Sequence, residues 1–410
     1  MTITTVPAFA NTPRDVINGY ADLAFAKYSD SLTSAQDLDA AIAAFIAAPS
    51  ADTHQAAKDA WLAARVPYQQ TEAYRFGNAV VDAWEGKVNA WPLDEGLIDY
   101  VDTSFYGEES EENGFFLANV VANPALTVGG QSVDATEITP QILQSLHEID
   151  GVEANVATGY HAIEFLLWGQ DTNGTDAGAG ARKWTDFSAD QCTNGNCDRR
   201  AAYLTAASAL LLTDLAEIVA AWDADGAART DLAGQSDAQG LSSILTGLGS
   251  LSYGELAGER MQLGLILHDP EEEHDCFADN THNSHYYDAL GIQNVYHGQY
   301  TRLDGTVLEV PALDDLTADV NAELDAEMAG KLEATMAAMQ VMKDRADSGV
   351  EAYDQMIGFG NEAGNAIVQT AIDALIDQTR SIESLVAALN AAEISVEGSD
   401  SLDNAEAVFQ

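Results

Sequence analysis

Residues 203–222 read YLTAASALLLTDLAEIVAAW. From Tyr203, the apolar positions Ala207, Leu210, Leu211, Leu215, Ile218, Val219 and Trp222 recur at three- and four-residue steps, which places them on one face of an α-helix. Patterns of the same period run through roughly 13–47, 53–79, 138–168, 240–267, 313–345 and 361–392. Strict apolar–polar alternation is rare. One short hairpin is expected in TRLDGTVLEV (301–310), where Asp304-Gly305 supplies the turn. The chain is therefore expected to be all-α.

With 410 residues, 47% of them hydrophobic, the chain can bury more than one core. The Gly-, Asp- and Asn-rich stretch from Gly169 to Asn196 breaks the helical pattern and reads as a connection between two helical-bundle halves. The expected division is a residual export or leader segment at 1–11, an N-terminal bundle at 12–170, a connecting loop at 171–196, a C-terminal bundle at 197–395 and an acidic, frayed tail at 396–410. TVPAFA followed by NTPRDV carries the small-x-small pattern of a signal-peptidase site, so export is expected.

The formal net charge is −49, from 66 acidic and 17 basic residues. Such a field repels phosphate backbones and anionic lipid heads, so neither nucleic acid nor an anionic membrane surface is an expected partner. It attracts cations, but a charged, solvated surface explains the bulk of it as well. No transmembrane segment is expected, because no continuous apolar run reaches the length of a span. Cys192 and Cys197 bracket TNGN, a spacing that can close a small disulfide in an oxidising compartment. Too few soft ligands surround them for zinc. Cys276 has no assigned role.

Four constellations carry possible chemistry. In GYHAIEFLLWG (159–169), His161 and Glu164 stand three apart on a helix and project from one face, a geometry that holds metals inside bundles. The plainer alternative is a buried hydrogen-bonded pair. In WLAARVPYQQTEAYRFGN (61–78), Trp61, Arg65, Tyr68 and Glu72 form a stripe where aliphatics are usual, so Glu72 needs a partner such as Arg65 or a cation. WPLDEG (91–96) can point Asp94 and Glu95 into a cleft, or simply into solvent. Between Leu248 and Asp288, Ser252, Glu255 and Glu259 share a helical stripe in which Gly254 and Gly258 permit a close approach. Beyond that stripe His268, Asp269, Glu271, Glu272, Glu273, His274, Asp279, His282 and His285 crowd together, oxygen and imidazole donors that suit iron, manganese or zinc. No H-E-x-x-H helix, nucleophile elbow, phosphate-binding loop or dinucleotide fingerprint is present.

The motif Gly159-x-His161-x-x-Glu164, followed by Leu-Trp-Gly, resembles the signature of imelysin-like proteins. That family takes in the insulin-cleaving metalloproteinase, the iron-regulated protein A group and periplasmic components of iron uptake. R-x-P-Y-x-Q-T-E (Arg65 to Glu72) resembles its first conserved helix, and Gly258 to His282 is similar to the imelysin and iron-regulated protein A branch. The resemblance runs from about 15 to about 390. It implies an all-helical fold with a cleft near the junction of the halves, and export to the periplasm or cell surface. It also implies a divalent or trivalent metal ion, iron or zinc, held by His161, Glu164, Glu72 and a carboxylate from Asp94 or Glu95. Arg65, Tyr68, Glu259 and Arg260 would line the cleft. A lipid-attachment cysteine is not seen near the start.

The leading expectation is thus an exported binder of a metal ion or iron-containing ligand, serving iron acquisition or homeostasis with envelope iron-uptake components. Haem, with His274 or His282 as an axial ligand, is a variant of it. The alternative is a metallopeptidase in which His161 and Glu164 hold zinc and Glu72 or a neighbouring carboxylate is the general base. The motif lacks the second histidine of the zincin helix, which favours binding over catalysis.

Overall fold

Thr12 opens the first helix with a reciprocal cap: its hydroxyl accepts the Asp15 N–H, and the Asp15 carboxylate accepts the Thr12 N–H at 2.9 Å, with Pro13 in the first turn. This is α1, Pro13–Ala47. Ser50 caps α2 (Ala51–Gln69) in the same way with Thr53, and α2 packs back along α1. The structure, a computed structural model, describes residues 11–106, 115–128 and 130–409. The expected leader segment, 1–11, lies outside the described residues except for Asn11.

The remaining helices are α3 (Ala79–Asn89), α4 (Glu95–Ile98), α5 (Thr103–Tyr106), α6 (Pro140–Leu146), α7 (Gly159–Trp168), α8 (Cys197–Trp222), α9 (Ala227–Gly234) and α10 (Asp237–Ser250). A π-helix, Leu251–Gln262, follows without a break. Then come α11 (Leu263–Leu267), α12 (Thr281–His297), α13 (Leu313–Val320), α14 (Ala322–Asp347), α15 (Tyr353–Ile357), α16 (Glu362–Ala388) and α17 (Asp400–Asp403). Two antiparallel hairpins are the only sheets among the described residues: β1 (Ala125–Val128) with β2 (Gln131–Asp134), and β3 (Gln299–Thr301) with β4 (Val307–Glu309). The fold is all-α, as periodicity predicts, and β3–β4 is the hairpin expected at Asp304-Gly305.

One bundle is formed by α1, α2, α3, α7 and α8, and a second by α10, the π-helix, α12, α14 and α16. α8 follows the connector yet packs on α1, α3 and α7, so the packing does not divide where the sequence composition does. The bundles meet where α2 lies against α12 and α1 against α10. α8 begins Cys197–Gly234, which among the described residues is the one stretch long and apolar enough by composition to cross a membrane, a length the search for unbroken apolar runs passes over. Tyr203, Leu204, Leu211, Leu215 and Trp222 on it are buried in the shared core.

Three local expectations are corrected. The pattern at 138–168 is two helices, because Glu148, Asp150 and Gly151 take positive φ and break the first. α2 carries Pro67, which cannot continue the hydrogen-bond ladder, and ends at Gln69; Glu72 sits in a 3-10 turn beyond it, off the expected stripe. The segment after Glu393 packs on the π-helix instead of fraying. A Cβ on Gly254 would stand 2.5 Å from the Glu397 carbonyl, and one on Gly258 would stand 2.3 Å from Ser399.

Candidate metal centre

α7 is buried along its whole length, and its first residue explains the glycine of the motif. Gly159 has φ +78°, and a Cβ there would stand 2.4 Å from the Val88 carbonyl oxygen. Only glycine lets α7 start this close to α3. Two residues on, His161 enters the interior with 1% of its surface exposed. Its Nδ1 stands 3.0 Å from Glu164 Oε2, the (i, i+3) contact expected from their spacing. Glu164 Oε1 accepts the Ala278 N–H at 2.9 Å, so one carboxylate ties α7 to the loop before α12.

That loop supplies two donors. His274 and Asp275 each contribute an atom that, with one from His161, lies within 4.8 Å of the other two; no other such group of three occurs among the described residues. Asp275 Oδ1 is 3.9 Å from His161 Nδ1 and 3.7 Å from His274 Nδ1, and the imidazole rings meet edge to face at 4.7 Å. Asp275 is set by Asn280 Nδ2 at 2.7 Å and by the Ser284 hydroxyl. Arg65 on α2 completes the group, donating to Asp275 at 2.9 Å and to Asn89 at 2.7 Å. Its guanidinium faces Trp61, Tyr68 and Tyr160.

The protonation states suit metal ligation. Burial, helped by Arg65, pushes the His161 imidazole down to about 3. Burial likewise carries His274 well below its usual value, with Arg260 and His161 adding to it. Both rings are neutral at neutral pH, as ligation requires. Burial alone would raise Asp275, but Arg65, helped by hydrogen bonds from Ser284 and Asn280, more than offsets it, and the carboxylate is held low. Glu164 is driven well above its ordinary value by burial and then by Asp275. With Nδ1 of His161 engaged by Glu164, the other ring nitrogen, Nε2, is buried and has no hydrogen-bond partner. Two neutral imidazoles, an ionised carboxylate and an orphaned ring nitrogen fit a first-row transition metal, with Glu164 orienting the ring.

The other expected site residues stand elsewhere. Glu72 accepts from Arg260 Nη2 at 2.8 Å, not from Arg65. Arg260 also holds Glu255 at 2.6 Å and Asp288 at 3.1 Å, all within a buried ionic network that Arg75 and Glu85 extend. The i→i+5 winding of the π-helix brings Arg260 beneath Glu255, where an α-helix would have set Glu259. Glu259 is half-buried and takes no part in that network. Asp94 Oδ2 accepts the Phe115 N–H at 2.8 Å, and Glu95 lines a separate acidic cavity. Arg65 and Tyr68 are buried in the interior and do not line an open cleft. Of the crowded segment after 268, His274 and Asp275 join His161, while His282 pairs with Asp347 and His285 packs on Tyr353.

Residues 24–382 match the family described as imelysin, peptidase M75. An iron-regulated protein A from Synechococcus elongatus is 31% identical over 101 residues, which are 24% of this chain and 28% of that protein. The matched stretch thus spans little more than a quarter of the curated relative. Two solved structures share the fold. One, provisionally assigned as an iron-regulated protein A precursor from Parabacteroides distasonis, aligns with a TM-score of 0.65 at 18% identity over 94% of this chain and 97% of the other. The other, an imelysin-like protein from Psychrobacter arcticus, aligns with a TM-score of 0.58 at 19% identity over 95% and 99%.

Proposed function

The chain belongs to the imelysin family, and we propose that it is an exported metal-binding member, holding iron or zinc between His161, His274 and Asp275 in the service of iron acquisition or homeostasis. The observation that carries this reading is the buried, unpartnered Nε2 of His161 in a ring already oriented by Glu164. A metal bound there would supply the positive charge that satisfies the nitrogen and shares Asp275 with Arg65. Glu164 fixes the ring, burial keeps both imidazoles neutral, and Arg65 keeps Asp275 ionised. Iron is favoured by the name of the Synechococcus relative. Export to the periplasm or cell surface, beside envelope iron-uptake components, accords with the disulfide between Cys192 and Cys197, since such bonds persist in oxidising compartments. The peptidase alternative has less support, because its expected base, Glu72, is engaged in an ion pair with Arg260.

Isothermal titration of the full chain with zinc, and with ferrous iron under anaerobic conditions, tests the proposal. One equivalent is expected to bind the wild-type protein and raise its melting temperature. His161→Ala and His274→Ala should abolish both effects, whereas His297→Gln, which alters contacts with Asp314 and Tyr296, should leave them intact. Equal binding by wild type and both alanine variants would overturn the assignment.

A further inference from the structure

Against the 270–277 segment lies a small cavity of about 10 Å3, roughly the space of one water-sized sphere. Carboxylates from four parts of the chain line it: Glu95 on α4, Asp171 in the connector, Glu271 and Glu273 before α12, and Asp354 on α15. No lysine or arginine is among the lining residues. Glu273 and Asp354 are 1% and 2% exposed. The Thr281 hydroxyl stands near Glu273 and the Gln355 N–H near Asp354, yet neither carboxylate has an oxygen in hydrogen-bonding geometry with any partner. Glu271 is different: it lines the cavity but the residue as a whole is exposed.

Buried carboxylates with four unpartnered oxygens between two side chains are costly unless something positive lies among them. We propose that this cavity is a second cation site, built for calcium, in which Asp171, Glu271, Glu273 and Asp354 close on the ion. An all-oxygen donor set selects a hard cation over zinc or copper. Magnesium keeps several of its waters, and the cavity has no room for them, whereas calcium accepts carboxylates on all sides in irregular geometry. Like charges repel, so these oxygens stand further apart than the donors of the imidazole triad; a cation draws them in. Calcium bound there would fasten the connector and α15 to the segment that carries His274 and Asp275. The site is independent of whether the imidazole centre holds a metal.

Titration of calcium chloride into the full chain, in about 0.5 M sodium chloride to screen the acidic surface, tests it. One saturable calcium per chain is expected, bound at least about tenfold more tightly than magnesium. Asp354→Asn and Glu271→Gln should each weaken calcium by about tenfold or more, while His161→Ala leaves it unchanged. Without calcium, Asp354→Asn should melt above the wild type, because one repelling charge has gone; this shows that the variant folds. No saturable calcium binding, or equal binding by the wild type and both carboxylate variants, would overturn the proposal and leave a cavity whose carboxyls share protons.

Discussion

The guanidinium of Arg65 stands 2.9 Å from the carboxylate of Asp275, although 210 residues separate them in the chain. Both are fully buried, so Arg65 is the counter-charge that an incoming metal must share. Breaking such a pair is destabilising, but it also removes a positive charge that repels the metal. Arg65→Gln should therefore lower the melting temperature of the metal-free protein and enlarge the rise produced by zinc. Thermal melts with and without zinc measure both. Loss of the zinc-induced rise would mean that Arg65 assists binding instead of competing with it.

Arg260 anchors Glu72, Glu255 and Asp288 at once. Removing it takes the ion pair from buried Glu72 and Asp288 and leaves Glu255 with Arg75 alone, so Arg260→Ala should cost about 3–5 kcal/mol in chemical denaturation. Glu259, its neighbour in sequence, takes no part in that network, and Glu259→Gln should change stability by less than about 0.5 kcal/mol. Comparable losses in the two variants would contradict the ionic network as drawn.

Gly159→Ala places a side chain 2.4 Å from the Val88 carbonyl at a positive φ. The strained backbone alone costs about 1–3 kcal/mol, and displacement of α7 should also move His161. Weaker zinc binding together with lower stability is expected. A variant that loses stability yet binds zinc as the wild type does would separate the start of α7 from the centre.

Much of this was legible in the sequence because it is local. The cap at Thr12, the 3.6-residue period of α8 and the (i, i+3) pairing of His161 with Glu164 depend on neighbours within a turn or two. The rest depends on contacts across the chain. His274 and Asp275 lie next to each other in an irregular loop, where no periodicity says which way a side chain faces, and they were hidden among other acids and histidines. Glu72 appeared to belong with Arg65 because the stripe was carried past Gln69, where α2 ends. The π-helix was read as ordinary α-helix, which put Glu259 on the stripe of Glu255, whereas the wider winding brings Arg260 to Glu255.

Stability should fall as pH rises from about 6.5 to about 8. Burial first, with Asp171 among the further causes, pushes the Asp354 carboxyl up to about 7 from 3.8. Burial and Glu72 push Glu85 up to about 7 from 4.5. A carboxyl raised in the folded state favours folding fully below its unfolded value, and that contribution is lost as pH passes the folded value. The buried histidines act only at lower pH, since above their unfolded value of 6.5 they are mostly neutral in both states. Melting temperatures across this window should decline for the wild type and less steeply for Asp354→Asn. Parallel slopes would mean that Asp354 does not titrate there.

The most direct test of the metal centre is anomalous diffraction at the zinc absorption edge from crystals grown with zinc. The account predicts a peak bounded by His161, His274 and Asp275, with Glu164 still hydrogen-bonded to the His161 ring. A zinc peak elsewhere in the chain, with the three side chains unmoved and no density between them, would contradict it.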